Sequence, residues 1–317
     1  MINQELICPD CRSALKAGAA GLVCAGGHNF TDGGGIYNLL PAAMSEMTRN
    51  DAAFHASQVS HFTEQAQMNS LRVLFFHQWI VDYIVKRTDG QTRVLELAGG
   101  SGFDLNLFLS RHPVFKDYVF SEISPEMAAY VKKNTDNRQV SYSCIDAHSL
   151  PFADETFKFV FIVAAFHHLC DAARAMTEMI RVSQPGGYII LGCEPNGWWL
   201  RIFGIIRDGY RKILPGKSHS PADDAADGFT RRKLEQLATL HGLKLLELQP
   251  IWLFYGFIHY GLELFYRLFR LKNRIKLPSF LEWAVLYVDT ALLWLPGIRR
   301  LAWHYTAVYQ KKMDGGL

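Results

Sequence analysis

The stretch RVLELAGGSGFDLNLFL (93–109) limits what this chain can fold into more than any other. Val94 to Leu97 reads as a short buried strand, Ala98 to Gly102 as a glycine-rich turn, and Phe103 onward as a helix. The glycines let the backbone bend sharply and let a ligand approach where a Cβ would stand in the way. The dinucleotide fingerprint G-x-G-x-x-G does not fit: counted from Gly100 its third position is Leu105, and from Gly99 its second is Ser101. Upstream, LRVLFFHQWIVDYIVKR (71–87) carries apolar residues at helical spacing, and Asp89-Gly90 turns that helix into the strand.

The same alternation continues. KDYVFSEISPEM gives a second strand ending at Glu122, twenty residues past Gly102, and VSYSCI gives a third ending at Asp146-Ala147-His148. A fourth strand lies in FKFVFIV, an amphipathic helix in DAARAMTEMIRV, and a fifth strand in SQPGGYIILGCEP. A carboxylate at a strand tip can accept both hydroxyl protons of a ribose. Taken singly, Glu122 is equally a helix N-terminal charge beside Ser124-Pro125, and Asp146 a turn cap.

In this order, the residues resemble a known family. Glu96-Leu97-Ala98-Gly99-Gly100-Ser101-Gly102 is similar to the E/D-x-G-x-G-x-G loop of class I S-adenosylmethionine-dependent methyltransferases, with Ala98 in place of the first glycine. Arg181-Val182-Ser183-Gln184-Pro185-Gly186-Gly187 is similar to that family's R-V-L-K-P-G-G turn. The resemblance spans 92–195 and implies an α/β fold, a Rossmann-like, seven-stranded, mostly parallel sheet. It implies S-adenosylmethionine bound by Glu96, Ala98, Gly99, Gly100 and Gly102 in the loop, Glu122 and Ile123 at the second strand, Asp146 and Ala147 at the third, and Ala164 at the fourth. The implied reaction is an SN2 methyl transfer, for which the protein aligns a nucleophile and excludes water. A base is needed only if the nucleophile starts protonated. The candidates are His167 and His168 after the fourth strand and Glu194 after the fifth, each equally compatible with a packing role.

The front of the chain carries Cys8-x2-Cys11 and Cys24-x3-His28. Two knuckles offering three thiolates and one imidazole suit a closed, structural zinc site, whose binding would supply much of the folding free energy of so short a segment. A CxxC redox pair is the alternative, but such a pair usually sits in a βαβ unit, absent here. With YNLLP after it, the spacing resembles the N-terminal ribbon of large-subunit ribosomal RNA guanine-N1 methyltransferases, where the ribbon assists RNA recognition. The expected organisation is a zinc-ribbon-like module over 1–40, a linker or helical cap over 41–70, and a methyltransferase domain over 71–317. The start of the chain lacks the basic-then-apolar pattern of a secretory signal, and the six cysteines are not a dense disulfide framework, so a cytoplasmic setting is expected.

Charge is uneven. Residues 1–196 hold 15 Lys/Arg against 20 Asp/Glu, and 197–317 hold 18 against 10. Within the basic part, 251–299 separates the sixth strand (LKLLELQPI) from the last (LAWHYTAVYQKK), and 251–310 contains 15 of the 41 aromatic residues. His259, Glu263, Arg267, Arg270 and Arg274 form one polar stripe on a helix, and Glu282 with Asp289 form another, so the stripes are expected to face each other across a hairpin. The second segment, about 16 residues, is short for a membrane span. An interfacial dock on anionic lipid, peripheral at the inner membrane face, and a lid over an apolar substrate are both compatible with this insertion. The favoured substrate is a hydrophobic or lipid-linked small molecule. The alternatives are ribosomal RNA, which basic and aromatic residues can also serve, and a cofactor-binding scaffold without catalysis.

Overall fold

A computed structural model of the chain describes residues 6–57 except 19–20, residue 59, 71–204 except 136, and 227–313 except 270, 272–274 and 276. The polar loop and most of the basic aromatic stretch expected after the fifth strand (205–226) lie outside the described residues, as do the stripe side chains Glu263, Arg267, Arg270 and Arg274.

A small antiparallel sheet is built from β1 (Leu15–Gly18), β2 (Gly21–Cys24) and β3 (Asn29–Thr31). After it come β4 (Ile36–Asn38), α1 (Glu46–Ser57), α2 (Leu71–Val85), β5 (Arg93–Leu97), α3 (Phe103–Ser110), β6 (Asp117–Glu122), α4 (Pro125–Asn134) and β7 (Val140–Cys144). The chain continues through β8 (Phe157–Val163), α5 (Ala172–Val182), β9 (Ser183–Pro195), α6 (Arg231–Leu240), β10 (Lys244–Ile251), α7 (Phe254–Leu268), α8 (Ser279–Leu293) and β11 (His304–Gln310). The main sheet has the order β10-β11-β9-β8-β5-β6-β7-β4, parallel from β4 to β9 and antiparallel at β9–β11 and β11–β10. This is the expected seven-strand set plus one. The extra strand is β4: Gly34 and Gly35, both left-handed, turn the chain out of the small sheet, and Ile36–Asn38 then pairs with Tyr142–Cys144.

Both faces of the sheet are covered, which explains a strand as apolar as β8, where only Lys158 is polar. On one face Ile80, Ile84, Leu105, Phe108 and Val131 from α2, α3 and α4 pack on Val94, Phe159 and Phe161. On the other, Met176 and Met179 of α5 and Leu234 of α6 share a core with Leu95, Leu97 and Val160, and with Leu6, Leu22 and Phe30 from the front of the chain. β6 and β7 lie on one side of β5 and β8 on the other, so a crevice opens at the carboxyl ends of β5 and β8, where such sheets bind ligands.

The insertion is organised by its buried acids. Asp289 accepts hydrogen bonds from the N–H groups of Leu253 (2.7 Å), Phe254 (2.9 Å) and Tyr255 (2.9 Å), capping α7, and Glu282 accepts from Leu71 N–H at 3.0 Å at the start of α2. The expectation that the acidic stripe faces the basic one is therefore corrected for Asp289: helix N-termini leave unbonded N–H groups and a partial positive charge, and a buried carboxylate satisfies both. Among the described residues no helix is long and apolar enough to cross a membrane.

Candidate cofactor site and metal knuckle

The turn after β5 alternates in backbone hand. Ala98 (φ +50°), Gly100 (φ +52°) and Gly102 (φ +75°) are left-handed. A Cβ on Gly99 would lie 2.2 Å from the Phe120 ring, whereas one on Gly100 would meet nothing within 4 Å, so this part of the turn is open. Gly102 is not part of the open surface: it begins α3, and a Cβ there would strike Val131.

Glu122, at the tip of β6, is 5% exposed and reaches back to this turn. Its carboxylate accepts from Gly100 N–H and Ile123 N–H, both at 2.9 Å. Asp146 follows β7, and its Oδ1 accepts from the backbone N–H (2.9 Å) and ring Nδ1 (2.6 Å) of His148. His148 Nε2 accepts from Asp171 N–H at 3.2 Å, which assigns the proton to Nδ1. Glu96 lies deepest, 2% exposed, with the Tyr118 hydroxyl donating to it at 2.5 Å. Burial pushes the Glu96 carboxyl well above the usual carboxylate range; the nearby Asp104 and Glu122 charges add to this and the Tyr118 hydrogen bond opposes it.

One cavity of about 360 Å³ unites these groups. Its walls include Glu96, Ala98, Gly99, Gly100, Glu122, Ile123, Asp146, Ala147, Ala164 and His168. Its volume lies in the range of small-molecule sites. The other two base candidates are not in that wall. Glu194 is completely buried, its carboxylate accepting from Phe166 N–H, His167 N–H and His167 Nδ1 at 2.9–3.0 Å, so that it braces the short turn Phe166–His168. His167 is turned towards that brace, and His168 alone of the three reaches the cavity.

The structure adds residues that the linear pattern missed. α1 brings Thr48, Asp51 and His55 to the cavity, the last two 3.6 Å apart, and the His55 ring lies 6.4 Å from that of His168. From α2 comes His77, with Nδ1 2.7 Å from Asp104 Oδ1. The i,i+4 pair Asp51/His55 and the lone histidine in a largely apolar helix were the available signals, but both need tertiary placement to be read.

At the front, the donor atoms of Cys8, Cys11, Cys24 and His28 all lie within 4.8 Å of one another. His28 Nδ1 is 3.5 Å from Cys8 Sγ and 3.3 Å from Cys24 Sγ, and Cys11 Sγ is 3.5 Å from Cys24 Sγ. Tetrahedral zinc, with bonds of about 2.3 Å to sulfur and about 2.0 Å to nitrogen, sets sulfurs about 3.8 Å apart and sulfur about 3.5 Å from nitrogen. The three separations given are close to those values, and the donor set suits a zinc ion.

Comparison with known proteins follows the same segment. Residues 95–191 match the family model described as a methyltransferase domain. A demethylmenaquinone methyltransferase from Thermus thermophilus is 32% identical over 129 residues, covering 39% of this chain and 56% of that protein. A ubiquinone/menaquinone biosynthesis C-methyltransferase from Desulfotalea psychrophila is 31% identical over 111 residues, 35% of this chain and 45% of its own. An uncharacterised Mycobacterium methyltransferase is 34% identical over 146 residues, 46% of this chain and 52% of its own. The chain spans about half the length of the curated relatives it matches. A Galdieria sulphuraria structure described as a sarcosine dimethylglycine methyltransferase superposes with a TM-score of 0.51 at 16% identity, covering 75% of this chain and 86% of that one. The chain has the Rossmann-like methyltransferase fold, and its central segment matches a methyltransferase domain.

Proposed function

We propose that this protein transfers a methyl group from S-adenosylmethionine to a hydrophobic or lipid-linked small molecule. The observation that carries the reading is the convergence of Glu122, Asp146 and the open Gly100 turn on one cavity. S-adenosylmethionine supplies a sulfonium-activated methyl group. Glu122, already oriented by two backbone N–H groups, would accept from the ribose hydroxyls. Asp146 would accept from the adenine amino group, with the Ala147 amide beside the ring and Glu96, Gly99, Ile123 and Ala164 shaping the pocket, while Gly102 starts α3 behind it. His168, with the Asp51/His55 pair next to it, is the base available to a nucleophile that must lose a proton. Cys8, Cys11, Cys24 and His28 would hold a structural zinc.

The substrate class is supported by the quinone-methylating names among the relatives and by the insertion. α7 and α8 leave Phe257, Leu264, Phe265, Phe280, Trp283 and Tyr287 exposed, Phe280 and Tyr287 at 70%. So many large apolar side chains exposed on one pair of helices suit an interaction site. Arg299 and Arg300 follow α8, in the half of the chain that carries the excess of basic residues, so the occupant proposed for this face is an anionic membrane surface. The test uses methyl-labelled S-adenosylmethionine with a membrane lipid extract and, in parallel, ribosomal RNA. Label in the organic phase, with flotation of the protein on anionic vesicles, is expected. Label in RNA and no flotation would replace this reading with the RNA one.

A further inference from the structure

The segment that presents Asp146 and Ala147 has no regular secondary structure from 145 to 151 and must be held by its neighbours. Some of those neighbours belong to the body of the domain: Glu178 accepts from Leu150 N–H at 2.8 Å, and Arg181 donates to the carbonyls of Leu150 (2.9 Å) and Phe152 (2.6 Å). The others come from the metal knuckle. The Ser149 hydroxyl donates to the Pro9 carbonyl at 2.6 Å, Ile7 N–H donates to the Pro151 carbonyl at 3.1 Å, and Leu6 bridges to Phe152. Arg12 donates to the Leu150 carbonyl at 3.2 Å and lies 3.0 Å from Glu178. Pro9 sits between Cys8 and Cys11, and Arg12 follows Cys11 with a left-handed backbone (φ +62°), its N–H bonded to the Cys8 carbonyl at 2.9 Å. The conformation that places these partners is thus the conformation of the closed knuckle. A second cavity, of about 400 Å³, is lined by Pro9 and Asp10 together with Asp146 and His148, so knuckle and cofactor loop border the same space.

We propose that the Cys8–Cys11 knuckle is a positioning element for the adenine end of the cofactor site, so that metal binding and S-adenosylmethionine binding are energetically coupled through Ser149 and Arg12. The inference rests on the cofactor reading above. An unfilled knuckle has no reason to keep Pro9 and Arg12 in place, and a loop with half its anchors loosened presents Asp146 in many orientations instead of one. Coupling of this kind is reciprocal: whatever factor the metal adds to cofactor affinity, the cofactor adds to metal affinity.

The test is a zinc-chelator competition on the full chain, run without and with saturating S-adenosylmethionine, alongside cofactor titrations of zinc-loaded wild type, Ser149→Ala and Arg12→Ala. Saturating cofactor is expected to raise zinc affinity at least fivefold. Each variant, still holding one zinc per chain, is expected to bind cofactor several-fold more weakly and to lose most of that shift. A purely structural role for Ser149 or Arg12 lowers stability but leaves the competition midpoint responding to cofactor as in wild type. The competition does not require a stable metal-free protein. Unchanged zinc affinity on cofactor saturation, with wild type still binding cofactor, overturns the coupling. Absence of any cofactor binding by zinc-loaded wild type instead overturns the reading of the site itself.

Discussion

Ala98 occupies a left-handed backbone position without being glycine, at a turn whose two other left-handed residues are glycines. A Cβ in that conformation costs about 1–2 kcal/mol. Glycine there relieves the strain but returns about 0.4–1 kcal/mol through a freer unfolded chain. Ala98→Gly is therefore expected to stabilise the protein by about 0.5–1 kcal/mol, read from the urea midpoint; a loss of stability would show the methyl to be held by packing. Glu96 gives the pH prediction. Its folded pKa is raised well above 4.5, so the fold binds a proton that the unfolded chain releases first. Its contribution is then fullest below about pH 4.5 and declines as pH rises towards the folded value. Glu96→Gln keeps a partner for Tyr118 but has no proton to lose. Between pH 5 and pH 7 its stability should fall less than that of wild type; parallel curves would place the titration elsewhere.

At the level of single elements, much was legible because it is local. The glycine turn, the order of strands and helices, and helix starts such as Thr230, whose hydroxyl accepts from Lys233 N–H, follow from neighbouring residues. β4 escaped because three residues carry no periodicity, and its pairing partner is a strand a hundred residues away. The stripes of the insertion were read from helical spacing alone, which fixes the face of a residue but not what that face meets. Asp289 meets three N–H groups at the start of α7 and is 2% exposed. Asp289→Ala leaves Leu253 and Tyr255 as buried donors without that acceptor and should cost about 3 kcal/mol, with Asp289→Asn, which keeps one oxygen, losing less. Equal stability of the alanine variant in urea unfolding would mean that α7 is held by its aromatic packing alone, such as Tyr260 stacked on Trp303 at 4.7 Å.

Over the whole molecule, the spacing of Cys8, Cys11, Cys24 and His28 announced a Cys/His cluster able to hold a metal ion, and the tips of β6 and β7 announced paired carboxylates. A helical cap over 41–70 was legible, but no local pattern announced that the knuckle would pack on the loop after β7, that Thr48, Asp51 and His55 of that cap would reach the cavity, or that Glu194 would turn inward as a brace; these depend on contacts between residues tens of positions to more than a hundred positions apart. The account as a whole depends on Glu122 and Asp146 facing one adenosyl-sized space. Calorimetric titration of S-adenosylmethionine into wild type and Glu122→Ala tests this most directly. Two charge-assisted hydrogen bonds at about 1.5 kcal/mol each make the expected loss of affinity on the order of a hundredfold, with one site per chain in wild type. The same affinity in both proteins would contradict it.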